Sequence, residues 1–151
     1  MTALLPLSLS ASVRLQRWAR LAAIMPQYRD EHWLLHLTDQ SDTATSLPQT
    51  TTLHLVWSGL IWQLVSLTNA SDHYNQQLIT EELCFDAERQ HYWRLQAGPE
   101  PTASPVLLEQ TLTKLCQRHQ QGHVLIQSDP LPSASSLGLN LAPSTVAPSA
   151  R

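Results

Sequence analysis

The sequence predicts an α+β fold: an antiparallel sheet of about five strands, built from two hairpins and flanked by an N-terminal and a C-terminal helix. Three observations carry this. Apolar residues recur at helical spacing near each end of the chain, and between those ends they alternate with polar residues in two runs broken by turn residues. The chain has 151 residues, 42% of them hydrophobic and 14% charged, which suits one domain with a real core. A domain of this size buries roughly 70% of the surface that its unfolded chain exposes.

Residues 1–9 contain Leu4, Leu5 and Leu7 but no basic residue before them, so they read as a flexible arm and not as a secretory signal. Ser10 and Ser12 are candidate caps for the first helix. Leu15, Trp18, Ala19, Ala22 and Met25 follow on one stripe, with Gln16, Arg17 and Arg20 opposite, and Pro26 is the expected stop. Trp33, Leu35 and Leu37 alternate with Leu34, His36 and Thr38 as a first strand, and 39–51 reads as a polar loop.

The strongest local signal is Thr52–Trp57 and Leu60–Leu67 around Ser58-Gly59, a two-residue hairpin turn. Pairing Trp57 with Leu60 places Leu53, Leu55, Trp57, Leu60, Trp62 and Leu64 on a core face. The opposite face then carries Thr52, His54, Val56, Ile61, Gln63 and Val65, half apolar and half polar. Asn69–Gln77 reads as a polar connection. The second hairpin, Glu81–Asp86 and His91–Gln96, turns through Ala87–Gln90; pairing Phe85 with His91 sets Leu83 against Trp93 and Glu82 against Arg94.

Ser104 caps the last helix, Pro105 sits at its first position and Gly122 stands just past its end, with Leu108, Leu112, Leu115, Cys116 and His119 as the buried stripe. Val124–Ile126 adds a last short strand, which closes a single domain over 10–128. Residues 129–151 contain four prolines, many serines and alanines and no aromatics, the composition of a disordered tail.

Charge and chemistry narrow the function. The net charge of −3 favours neither nucleic acid nor a membrane surface as partner. Residues 1–30 are the exception, with Arg14, Arg17, Arg20 and Arg29 against Asp30. Two cysteines, Cys84 and Cys116, are too few for a disulfide scaffold, which points to a reducing cytoplasm. Cys116, His119 and His123 could approach a zinc site with Cys84, yet Gly122 should end the helix before His123, and Cys116 on the apolar stripe suits the core. Neither metal nor cofactor is therefore expected. No serine lies in a strand-to-helix elbow, and Glu81 and Glu82 point to opposite faces of a strand, so no catalytic set emerges.

Trp33, Trp57, Trp62 and Trp93 all fall on strands, more indoles than one modest core requires, and tryptophan is enriched where proteins meet. The mixed hairpin face, His54, Val56, Ile61, Gln63 and Val65, is accordingly the candidate partner surface. Over residues 12–121 the order of elements (first helix at Leu15–Ala22, strand at Trp33–Leu37, two hairpins, last helix at Val106–Gln121) resembles the class I type III secretion chaperones. That resemblance implies a small dimeric cytoplasmic protein that holds another protein before export. The expectation is a non-enzymatic chaperone or assembly factor, a homodimer that binds a client protein. A structural or regulatory subunit of a larger complex is the alternative, and a small metal-binding protein or enzyme using Cys116, His119 and His123 the third.

Overall fold

A computed structural model describes residues 2–40, 49–73, 78–94, 98–101 and 104–131. The elements run α1 (Leu9–Leu21), β1 (His32–Asp39), β2 (Gln49–Trp57), β3 (Trp62–His73), β4 (Leu78–Asp86), β5 (His91–Arg94), β6 (Gly98–Pro99), α2 (Pro105–Gln120) and β7 (Val124–Leu131). The α+β class holds, but the sheet has seven strands where about five were expected, in the order β6-β5-β4-β3-β2-β1-β7. Every pair is antiparallel. No helix among the described residues is long and apolar enough to cross a membrane.

Besides β6 and β7 at the two edges, existing strands are longer than expected, because polar composition does not prevent pairing. Asn69–His73, expected in a connection, extends β3 and pairs with Leu78–Leu83. Gln49–Thr51 likewise lengthens β2 along Leu37–Asp39. The last strand is longer than three residues: β7 runs along the whole of β1, so the expected tail boundary at Asp129 falls inside a strand. The rest of that tail, 132–151, lies outside the described residues.

Both helices end through the same device. The helix α1 is capped by Ser8, whose hydroxyl accepts from the Ala11 N–H at 3.0 Å, one turn before the expected Ser10 or Ser12. Ala23 then takes a left-handed φ of 58°, Ile24 N–H reaches Ala19 C=O at 3.1 Å and Ala23 N–H reaches Arg20 C=O at 3.0 Å. This closure precedes Pro26 and leaves Met25 80% exposed, off the expected stripe. In α2 Ser104 accepts from Leu107 N–H, Pro105 opens the helix, and Gly122 (φ 82°) permits the bonds Gly122 N–H to His119 C=O and His123 N–H to Arg118 C=O.

One core cluster joins both helices to one side of the sheet. Leu15, Trp18, Leu108 and Leu112 meet Leu35, Leu37, Leu53, Leu55, Leu64, Leu67 and Phe85, all essentially inaccessible. Packing of this kind contributes about 1.5–3 kcal/mol per buried side chain. Leu64 and Leu67 are three apart, so a regular strand would send them to opposite faces. A bulge resolves this: Leu55 pairs with Leu64 and His54 with Ser66, leaving Val65 as the extra residue. A second bulge pairs Asn69 with Leu83 and Ala70 with Glu81.

The first residues are not a loose arm. Beyond the end of β4, the carbonyl of Leu64 is free of its strand neighbour and accepts from Leu5 N–H at 2.8 Å, while Val65 C=O accepts from Ala87 N–H at 3.0 Å. Leu5 is 5% exposed and joins the core. Replacing Leu5 by Ala should therefore destabilise the fold by about 2–4 kcal/mol, several degrees of Tm. A Tm equal to that of the parent would restore the flexible arm.

Candidate functional site

Side chains that alternate with the core leucines form the other face of the sheet, which neither helix covers. Cross-strand partners define it: His32 with Val56, Leu34 with His54 and His36 with Thr52 across β1 and β2. Val56 with Gln63, His54 with Ser66 and Thr52 with Thr68 continue it into β3, and Thr68 with Cys84 and Cys84 with Trp93 carry it to β5. Its centre is half-buried His, Thr, Leu and Trp, with few formal charges among the described side chains besides Asp86 and Asp129.

Side-chain hydrogen bonds tie this face together. His32 Nδ1 and His54 Nε2 lie 2.8 Å apart, their rings tilted by 51°, so one nitrogen donates and the other accepts. His36 Nδ1 is 3.2 Å from Thr52 Oγ1, and its Nε2 is 3.1 Å from a carboxylate oxygen of Asp129 on β7. Thr38 and Thr50 hydroxyls meet at 3.2 Å. Burial lowers the His54 pKa below its ordinary 6.5, and the neighbouring His32 lowers it further, while Asp86 and Glu88 act in the opposite sense.

The sequence-predicted residues divide. His54, Val56 and Gln63 lie on this face as expected. Val56 is 4% exposed and Val65 1% exposed, so both are already covered within the chain, Val65 at the bulge. Ile61 is not on the face: the turn holds four residues, Ser58–Ile61, with Trp57 paired to Trp62. Ser58 explains this, since its hydroxyl accepts from Leu60 and Ile61 N–H and its own N–H donates to Ile61 C=O, while Gly59 supplies φ 102°. Leu60, expected in the core, is 86% exposed and Ile61 44%.

The second hairpin keeps its turn at Ala87–Gln90 but pairs Phe85 with Tyr92 and Asp86 with His91. That one-residue shift sets Leu83 against Arg94 and moves Trp93 from the expected core side to the open face beside Cys84. The register sets Arg94 opposite Leu83 and not Glu82, and Arg94 makes an ion pair with Glu100. The candidate surface drawn from the sequence left out Leu34, His32 and Trp93, although the alternation around Trp33 and Leu35 already marked His32 and Leu34, and Trp93 stood among the surplus indoles.

Cys116, His119 and His123 do not converge on a metal. Among the described residues no group of three His, Cys, Asp or Glu side chains is placed to hold one. Cys116 packs against the core on the helical side, whereas Cys84 alternates with buried Leu83 and Phe85 and so points to the opposite side of the sheet.

No protein-family model and no curated protein matches the chain. A solved structure, a hypothetical protein from the Vibrio cholerae VSP-II pathogenicity island, is similar to it with a TM-score of 0.64 at 13% identity, over 87% of this chain and 97% of that one. At that identity the likeness shows a shared fold.

His54 makes the face sensitive to acid. Because the folded chain disfavours charged His54, its contribution is present above pH 6.5 and is lost as pH falls through the depressed folded value. Unfolding by urea at about pH 7.5 and about pH 5 should show a smaller acid loss for His54→Gln than for the parent. Equal losses would mean that His54 is charged as readily in the fold as in the unfolded chain.

Proposed function

We propose that the chain is a non-enzymatic protein-binding protein, a chaperone or assembly factor that engages another protein through the open face of its sheet. The observation that carries this reading is one-sided coverage: both helices pack on one side of a seven-stranded sheet, and the other side is left as a charge-poor mixture of apolar and hydrogen-bonding residues. Partner surfaces have this composition, an apolar centre with polar groups around it. Leu34 and Trp93 supply the apolar part, and His32, His54, Gln63 and the threonines the polar part.

The partner is a second copy of the chain, a client protein, or each in turn, as in the class I type III secretion chaperones whose element order the chain resembles. The continuous β3–β4 pairing and the added β7 depart from that order. The proposal accordingly rests on the face and not on the family.

Leu34 sits at the centre of the face and points away from the core, so Leu34→Arg places a charge there without opening a cavity. If the face is desolvated in a complex, that charge costs several kcal/mol of association. Sedimentation of the purified chain, and co-purification from native cells with the bound protein identified, should show loss of mass or partner with an unchanged circular dichroism spectrum. A variant that keeps both its mass and its partner would remove this face from the account.

A further inference from the structure

The helical layer carries a second surface of different chemistry. Ser8 and Arg14 reach Glu109, Arg14 also reaches Thr113, and Arg17 lines a cleft with His119, so contacts advance along both helices in the same direction. That cleft, about 220 Å³ in volume, is floored by Trp18 and walled by Val13 and Cys116, with Arg17 and His119 at its mouth. Val13 is 57% exposed, and Leu9, one turn before it on the same stripe, is 83% exposed.

Charge in this layer is one-sided. The helices hold Arg14, Arg17, Arg20, Lys114 and Arg118 against the single carboxylate of Glu109, in a chain whose net charge is −3. Glu109 is engaged by Arg14, and Arg118 by Asp39 of β1. Arg17, Arg20 and Lys114 have no ion pair among the described residues. An apolar cleft with the uncompensated Arg17 on its lining, and Arg20 one turn further along α1, is complementary to a segment with apolar anchors flanked by carboxylates.

We propose that the α1–α2 cleft docks an acidic amphipathic segment of a partner protein, independently of whatever the open sheet face binds. Two occupants from the chain itself fit poorly. Residues 132–151 contain no Asp or Glu, and a second copy meeting this layer head-on would bring the same excess of cations. Polyanions without apolar anchors gain nothing from an apolar cleft.

The probe is a fluorescent synthetic peptide with Leu and Glu at helical spacing, titrated by anisotropy into the full chain at low salt. Its comparators are the scrambled sequence, a Lys-for-Glu version, a single-stranded oligonucleotide and phosphatidylserine vesicles. Saturable binding at least about tenfold tighter than the scrambled and Lys versions is expected, weakened about tenfold by the double change Arg17→Gln and Arg20→Gln at exposed positions. Val13→Asp should weaken it further, with the circular dichroism melt of each variant unchanged. A readout on the parent chain needs no variant: saturating peptide should slow alkylation of Cys116 several-fold and leave Cys84, on the opposite side of the sheet, at its original rate. Equal binding of the scrambled peptide, unaltered Cys116 labelling, or saturable binding only to the oligonucleotide or the vesicles would overturn the proposal.

Discussion

The phase of β3 governs the two faces of this molecule. Leu64 and Leu67 both enter the core although they stand three positions apart, and the extra residue Val65 makes that possible. Without the bulge either Leu64 would leave the contact with Leu55 and α1, or Leu67 would leave Phe85 and the neighbouring strand. Removing one such side chain from a core costs about 2–5 kcal/mol. The same bulge leaves the Leu64 and Val65 carbonyls for Leu5 and Ala87, so the N-terminal residues and the β4–β5 turn are anchored by it. Which residues form the open face is a consequence of this local irregularity.

The parity of strand pairing explains what was legible in the sequence. Pairing Trp57 with Leu60 misplaces the first hairpin by two residues, since Trp57 faces Trp62, and an even displacement preserves the sorting of side chains between faces. His54, Val56 and Gln63 were therefore assigned to the right side, and Leu53, Leu55 and Leu64 to the core, from an incorrect turn. In the second hairpin the displacement is odd, Phe85 facing Tyr92 and not His91, and it exchanges Trp93 between sides. The helix α2 was legible because Ser104 and Pro105 at its start, and Gly122 just past its end, each act within a few residues of the terminus they set. Residues 69–73 and 127–131 were not, since their strand character comes from neighbours distant in sequence and not from alternation.

The two sides of the sheet differ in the interactions they offer. On the helical side the polar groups are charged and basic, and the apolar groups line a cleft. On the open side the polar groups are imidazoles, hydroxyls, an amide and the carboxylate of Asp129, joined by hydrogen bonds between His32 and His54 and between His36, Thr52 and Asp129. Such a face can be desolvated at a lower cost than a charged one, and its ring nitrogens and hydroxyls can exchange partners within the chain for partners across an interface. Charge on the helices, in contrast, acts at longer range and through association rate. This separation fits the proposed role in binding another protein.

Side-chain footprinting by hydroxyl radicals tests the central claim most directly, because it reads the two faces of one strand separately. Comparing the free chain with the complex isolated from native cells, the account predicts that Leu34 and Trp93 lose reactivity on association while Leu35 and Phe85 stay protected in both. Undiminished reactivity at Leu34 and Trp93 in a complex of verified composition would contradict it, since the partner would then be held elsewhere.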